Sequence, residues 1–260
     1  MMGPQPPARY PVFGSLVSAT TYDEATAYAM AKAANRESAV LTYLPVHGIV
    51  LARRRPEYRK IVNSFDLICP DGQPVRYALK LLHGVSLPER VYGPEHMARL
   101  CGQAARENVP VYLYGSTPEV VEQLRGALLE RFAGLRVAGW ESPPFRPLTD
   151  QELDQVVARF NESGAGLVFV GLGCPRQDEF VAKVRERVQA VMLCVGAAFD
   201  FHSGNKRMAP AWMQKYSLEW LFRLSQEPGR LFTRYLATNS AFVALLAWGM
   251  LKRAVGRGER

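Results

Sequence analysis

"VGLGCPRQDEF", residues 170–180, is the stretch on which the reading of this chain turns. An apolar run, Gly166 to Val170, ends in Gly171-Leu172-Gly173, and Pro175 then opens a segment bearing Arg176, Gln177 and Asp178. An apolar run that meets glycines and then a proline-started polar segment reads as a strand turning straight into a helix. Two explanations fit the turn itself. Glycine permits a tight turn at positive φ, or it lets the backbone approach an anion that sits on the free N–H groups of a helix start.

The same alternation recurs on both sides. Upstream lie a strand at Ala39–Tyr43, helix-forming residues to about Val62, and a strand at Leu67–Cys69. Helices from Pro74 to Leu82 and from Pro94 to Glu107 follow, then the strand Val111–Gly115. Thr117-Pro118 starts a helix running to about Phe132, with Thr as cap and Pro at the first helical position. A short strand near Val137 comes next. Thr149 with Glu152 forms a capping box for a helix to about Asn161. Strand 166–171, helix 175–188 and strand 190–196 complete the series. Strands alternating with helices of this length imply an α/β fold, a Rossmann-like parallel sheet wrapped by helices. After Ser203-Gly204 only helical patterns remain. We therefore expect an α/β catalytic domain over residues 1–204 and an all-helical C-terminal appendage over 205–260.

In such a sheet, ligands collect beyond the carboxyl ends of the strands. Those ends carry Thr42, Asp71-Gly72, Gly115-Ser116, Gly171 to Gln177, and Gly196 to Asp200. Asp71 sits between Pro70 and Pro74, and its local features suit two roles equally: a turn aspartate, or a carboxylate held rigidly enough to act as general base. No Asp-x-Asp occurs in the chain, so a bound diphosphate has to be met by cationic side chains, for which Arg207, Arg223, Arg230 and Arg234 are available.

Composition narrows the setting. Of the 260 residues 48% are hydrophobic, enough for a large core. Cys69, Cys101, Cys174 and Cys194 form no Cys-x-x-Cys, and the four histidines are dispersed, so no zinc site is expected and a reducing cytoplasm is. The proline-rich first 20 residues are not a signal peptide. The longest apolar candidate, Ala241 to Leu251, is about half the ~20 residues that a spanning helix requires. Charge is concentrated at one end. Residues 201–260 hold ten Lys+Arg against three Asp+Glu, a net of +7 out of the chain's +8. Interleaved with Trp212, Trp220, Phe232, Tyr235 and Trp248, those cations suit a helix lying in a membrane interface. They form no hydrophilic stripe and no recognised nucleic-acid module, so nucleic acid is not expected as a partner.

Six segments in order, "DLICPDGQPVRYALKLL", "RVYGPEHM", "VYLYGSTPEVVE", "GLGCPRQDEF", "GAAFDFHSGNKRMAPAWMQ" and "LEWLFRLSQEPGRL", resemble the bacterial TagA/WecG/CpsF family of glycosyltransferases over roughly residues 12–240. The resemblance implies inverting, metal-independent transfer from a UDP-sugar to a polyprenyl-diphosphate-linked sugar at the inner face of the cytoplasmic membrane, with no cofactor. It places the general base on Asp71, substrate contacts on Thr42, Arg90 and Gln177, and the appendage's arginines on Arg223 and Arg230. Gly115, Gly171, Gly173, Arg176, Asp200 and Arg207 complete the expected substrate-binding set. Many members read Thr-x-Asn where this chain has Thr42-Tyr43-Leu44, so the sugar stays open between N-acetylmannosamine and a glucose-like hexose. Arg234, one residue beyond Thr233, stands in for a basic residue of some members. A homo-oligomer is compatible with these features. The rival readings are a membrane-associated nucleotide-sugar-binding protein without turnover, and a Rossmann-type oxidoreductase. The latter would need the third glycine and the ribose-binding acid that are missing after Gly173.

Overall fold

Three helix starts carry side-chain caps. Thr21 and Glu24 form a reciprocal capping box, Thr149 and Glu152 another, and the Thr117 hydroxyl accepts from the Val120 N–H. The computed structural model describes residues 5–216 and 218–258. In chain order the elements are β1 (Arg9–Val12), β2 (Ser15–Ser18), α1 (Tyr22–Ala34), β3 (Ala39–Leu44), α2 (Val46–Arg54), α3 (Pro56–Asn63) and β4 (Leu67–Pro70). Then come α4 (Gln73–His83), α5 (Gly93–Glu107), β5 (Val111–Gly115), α6 (Pro118–Arg131), β6 (Val137–Glu141), α7 (Asp150–Glu162) and β7 (Leu167–Gly171). α8 (Arg176–Val184), β8 (Val191–Cys194), α9 (Ala198–His202), α10 (Ala211–Lys215), α11 (Glu219–Gln226) and α12 (Pro228–Gly258) complete the chain.

Six strands form one parallel sheet in the order β4-β3-β8-β7-β5-β6. Alternate side chains divide between two cores, as the two-residue period of a strand demands. Val40, Ile68, Tyr114, Val170 and Met192 pack under α2, α3, α4, α7 and α8. Leu41, Leu67, Leu113, Phe169 and Leu193 pack under α1, α5, α6 and α9. The central strands are therefore apolar but for the buried Thr42 of β3, while β6 at one edge keeps every residue partly in solvent. The opposite edge, β4, is covered by the β1–β2 hairpin, and the Ser18 hydroxyl accepts from the Ile68 N–H at 3.0 Å.

The expected strands and helices are present, most within a residue or two, although the helix expected over 175–188 ends at Val184 and gives way to a 3-10 turn, and there are three additions. The proline-rich start is the β1–β2 hairpin, whose two turn residues, Phe13 and Gly14, both have positive φ. Residues 22–34 are a helix, and the helical stretch before Val62 is broken at Arg55-Pro56 into α2 and α3. Among the described residues beyond 204 the regular elements are all helices. α12 lies against α2 and α4, and Phe242 joins the same core as Val12, Leu44 and Ile49. Among the described residues no helix is long and apolar enough to cross a membrane.

Candidate active site

The β4 strand ends at Pro70, and Gly72 at φ 93° turns the chain into α4, so Asp71 stands at the carboxyl edge of the sheet between a strand and a helix start. Its side chain is half-buried and has no hydrogen-bond partner among the described residues. Removal from water pushes its carboxyl up to about 7. The Arg90 and Arg223 guanidinium groups pull it down, and the Glu219 carboxylate pushes it up. The segment after α4 brings in Arg90, whose guanidinium lies 4.4 Å from the centre of the Tyr92 ring. Arg90 Nη2 donates to Glu219 Oε2 at 2.6 Å and to Gln214 Oε1 at 3.4 Å. α11 thus lies over the sheet edge with Glu219 and, one turn on, Arg223, which also faces the Phe201 ring at 5.7 Å. Asp71, Arg90 and Arg223 were expected here from 150 residues of sequence, and the fold brings them together. Glu219 and Tyr92 were not expected. Glu219 is far along the chain from Arg90, and no local pattern marks it.

A second cluster lies at the ends of β3, β7 and β8. Thr42 is buried, and its hydroxyl donates to Asp178 Oδ1 at 2.7 Å. The Tyr58 hydroxyl donates to Asp178 Oδ2 at 2.9 Å, and the Cys194 thiol reaches the same carboxylate. Burial holds Asp178 up at about 6, against the hydrogen bonds from Thr42 and Tyr58 that lower it. Thr42 therefore spends its hydroxyl inside the scaffold. Gln177 likewise ties loops together: Gly173 N–H donates to Oε1 at 3.1 Å, and Nε2 donates to the Cys194 carbonyl at 2.8 Å. Asp178→Ala would strand two buried hydroxyls and is expected to cost about 2–4 kcal/mol, read as a lower urea midpoint with unchanged slope. A variant as stable as the parent would refute this hub.

The glycines of the turns answer both readings of "VGLGCPRQDEF". At Gly115, φ is +137° and a Cβ would lie 2.6 Å from the Gly171 carbonyl carbon, so close backbone approach alone demands glycine there. A Cβ at Gly171 would strike the Phe199 ring. Gly173, at φ +76°, has nothing within 4 Å of its Cβ position and leaves open space beside the start of α8, where Arg176 is exposed. From the appendage, Arg234 lies near enough to Cys174 to act on its thiol electrostatically. Asp200 is engaged by Lys206 at 3.2 Å and by Asn205 at 3.0 Å, and Arg207 is exposed beside them. The side chain of Arg230 lies outside the described residues.

β4 and β7 are three strand spacings apart, about 14 Å, so the Asp71 cluster and the open Gly173 turn lie at two ends of one shelf. A carboxylate between arginines at one end and an open helix start at the other suit activation of a hydroxyl and charge neutralisation on a diphosphate. That pairing is the equipment of a glycosyltransferase. The chain belongs to the WecG/TagA/CpsF family of glycosyl transferases, whose model matches residues 10–256. It is 32% identical over 213 residues to a Bacillus spizizenii protein named N-acetylglucosaminyldiphosphoundecaprenol N-acetyl-beta-D-mannosaminyltransferase, covering 82% of this chain and 80% of that one. A Bacillus subtilis protein of the same name is 29% identical over 175 residues, 67% of this chain and 66% of its own.

Proposed function

We propose that the protein transfers N-acetylmannosamine, or a hexose of similar size, from a UDP-sugar to a polyprenyl-diphosphate-linked N-acetylglucosamine, with inversion and without a metal. The carrying observation is the half-buried Asp71 carboxylate at the end of β4, facing Arg90 and Arg223. In this reading the acceptor hydroxyl oxygen attacks the anomeric carbon while the bond from that carbon to the diphosphate oxygen breaks. The hydroxyl proton passes to Asp71, and UDP leaves with its new charge offset by Arg223, Arg230 and the turn at Gly173. The names of the relatives support the acceptor and the sugar. A panel of UDP-sugars incubated with an N-acetylglucosaminyl-diphospholipid tests the reading through UDP release and the anomeric configuration of the product. Retention of configuration, or no transfer from any UDP-sugar, would overturn it.

Among the described residues no three His, Cys, Asp or Glu side chains gather to hold a cation. Turnover is therefore expected to persist in excess EDTA. Loss of activity on chelation, restored by Mg²⁺ or Mn²⁺, would replace the arginines by a metal as the neutralising charge.

The acceptor's lipid also accounts for the outer face of α12. Phe232, Leu236, Val243, Trp248 and Leu251 are each more than half exposed, with the exposed Lys252 beside them. We place this face on the cytoplasmic surface of the cell membrane. Combined Leu236→Ser, Val243→Ser and Trp248→Ser substitutions should abolish flotation with anionic vesicles and leave the fold intact. Undiminished flotation would put the contact elsewhere.

A further inference from the structure

Glu219 is the unexplained member of the Asp71 cluster. A carboxylate placed close to another half-buried carboxylate raises the cost of ionising both, so its presence needs a compensating reason. Its side chain is only 11% exposed and that of Arg90 12%, and the two meet at 2.6 Å. The Tyr92 hydroxyl lies within electrostatic reach of the same carboxylate. Gln214 closes the group from α10: its Oε1 accepts from Arg90, and its Nε2 donates to the Ala209 carbonyl at 2.8 Å. Next to Glu219 on α11, Trp220 packs edge-on against Tyr235 of α12, and Tyr235 in turn acts on Arg223. Arg223 follows Glu219 by four residues and so shares its side of the helix. The salt bridge between Arg90 and Glu219 is therefore the buried charged contact that fastens α11 onto the sheet edge and sets where Arg223 lies.

Resting on the reading of Asp71 as base, we propose that Glu219 is a positioning residue for the transfer: by gripping Arg90 it docks α11 with Arg223 facing Asp71. It touches neither substrate nor the reacting atoms. Its charge also balances the cluster. Asp71 and Glu219 supply two negative charges against the two positive charges of Arg90 and Arg223, so Arg90 is engaged by Glu219 rather than collapsed onto Asp71. Among the described residues the groups facing this centre include Asp71, Arg90, Tyr92, Gln214, Arg223 and Tyr235, with Tyr22, Tyr43 and Cys69 acting on Asp71 from the sheet side.

Glu219→Gln preserves size and can still accept from Arg90, but it removes the charge. Two consequences follow. Arg90 acts more fully on Asp71, so the acid limb of kcat/KM against pH should move to lower pH. The grip on α11 also loosens, so kcat should fall ~10-fold to ~100-fold, with a smaller change in the donor KM, as expected for misplaced catalytic groups. Glu219→Asp keeps the charge but shortens the reach, so its acid limb should stay in place while kcat drops several-fold. Hydrogen exchange of the α11 amides should quicken in both.

The experiment uses the full chain with UDP-sugar and lipid acceptor, and runs Asp71→Asn alongside. An acid limb unmoved in Glu219→Gln overturns the charge role, whatever its turnover. Wild-type kcat and α11 protection in Glu219→Asp overturn the positioning role, and this variant serves also if Glu219→Gln does not fold. Should Asp71→Asn retain full activity, the base assignment fails by itself, and kcat with α11 exchange then judges Glu219 alone.

Discussion

Replacing Asp71 by Asn is expected to reduce turnover about 100-fold or more while UDP-sugar binding changes little. The amide keeps the size of the side chain and its place between Arg90 and Arg223, but it cannot take the proton of the acceptor hydroxyl. The wild-type enzyme should show a matching pH dependence. With the carboxyl held up at about 7 by burial, kcat/KM should rise as pH passes through that value, because the ionised form is the base. The variant should lose that limb along with the rate. Wild-type turnover in Asp71→Asn would reduce the residue to a turn aspartate ahead of α4.

The second large effect is expected at Arg223. Arg223→Ala should lower kcat by about two to three orders of magnitude, the range found when one preorganised donor is removed from a developing negative charge. Arg223→Lys should recover part of the loss, since it restores the charge without the planar fork. The fold should survive either change, because the Arg90–Glu219 bridge and the Trp220–Tyr235 contact still hold α11. A single substitution is a cleaner test than deleting the appendage. A chain ending near residue 204 would also lose Phe242 from the main core, where a Phe→Ala change alone costs about 3–5 kcal/mol. Normal kcat in Arg223→Ala would leave the leaving group to Arg230, Arg234 and the Gly173 turn.

Much of this architecture is legible along the chain, and the exceptions have identifiable physics. β3, β5, β7 and β8 announce themselves as apolar runs between turn residues, and α6 and α7 through their caps. The β1–β2 hairpin is hidden because its turn is Phe13-Gly14, and a bulky residue at positive φ is not the Asn-Gly or Asp-Gly that marks such a turn. At the site, strand-end reasoning finds Asp71, because its loop is defined by a local strand and two prolines. It does not reveal the hydrogen bond that Thr42 gives, since the residue that takes it, Asp178, is 136 positions away. Glu219 escapes for the same reason: its meaning lies wholly in Arg90, 129 positions distant.

The attachment of α12 bears on how the two halves of this enzyme can be exchanged with those of its relatives. Phe242 meets the Phe13 ring of the hairpin turn edge-on at 5.2 Å, Gly249 leaves room for Leu82 of α4, and Arg253 donates to the Leu81 carbonyl at 2.7 Å. Those partners come from the first third of the chain, before the last four strands of the sheet are made. A graft that crosses over near residue 204 would join one parent's C-terminal helix to another parent's hairpin and α4, breaking matched surfaces that sequence proximity does not reveal. The portable unit is discontinuous, residues 9–18, 46–54 and 73–83 together with 205–258, and chimeras that move these four pieces as a set keep the interface whole.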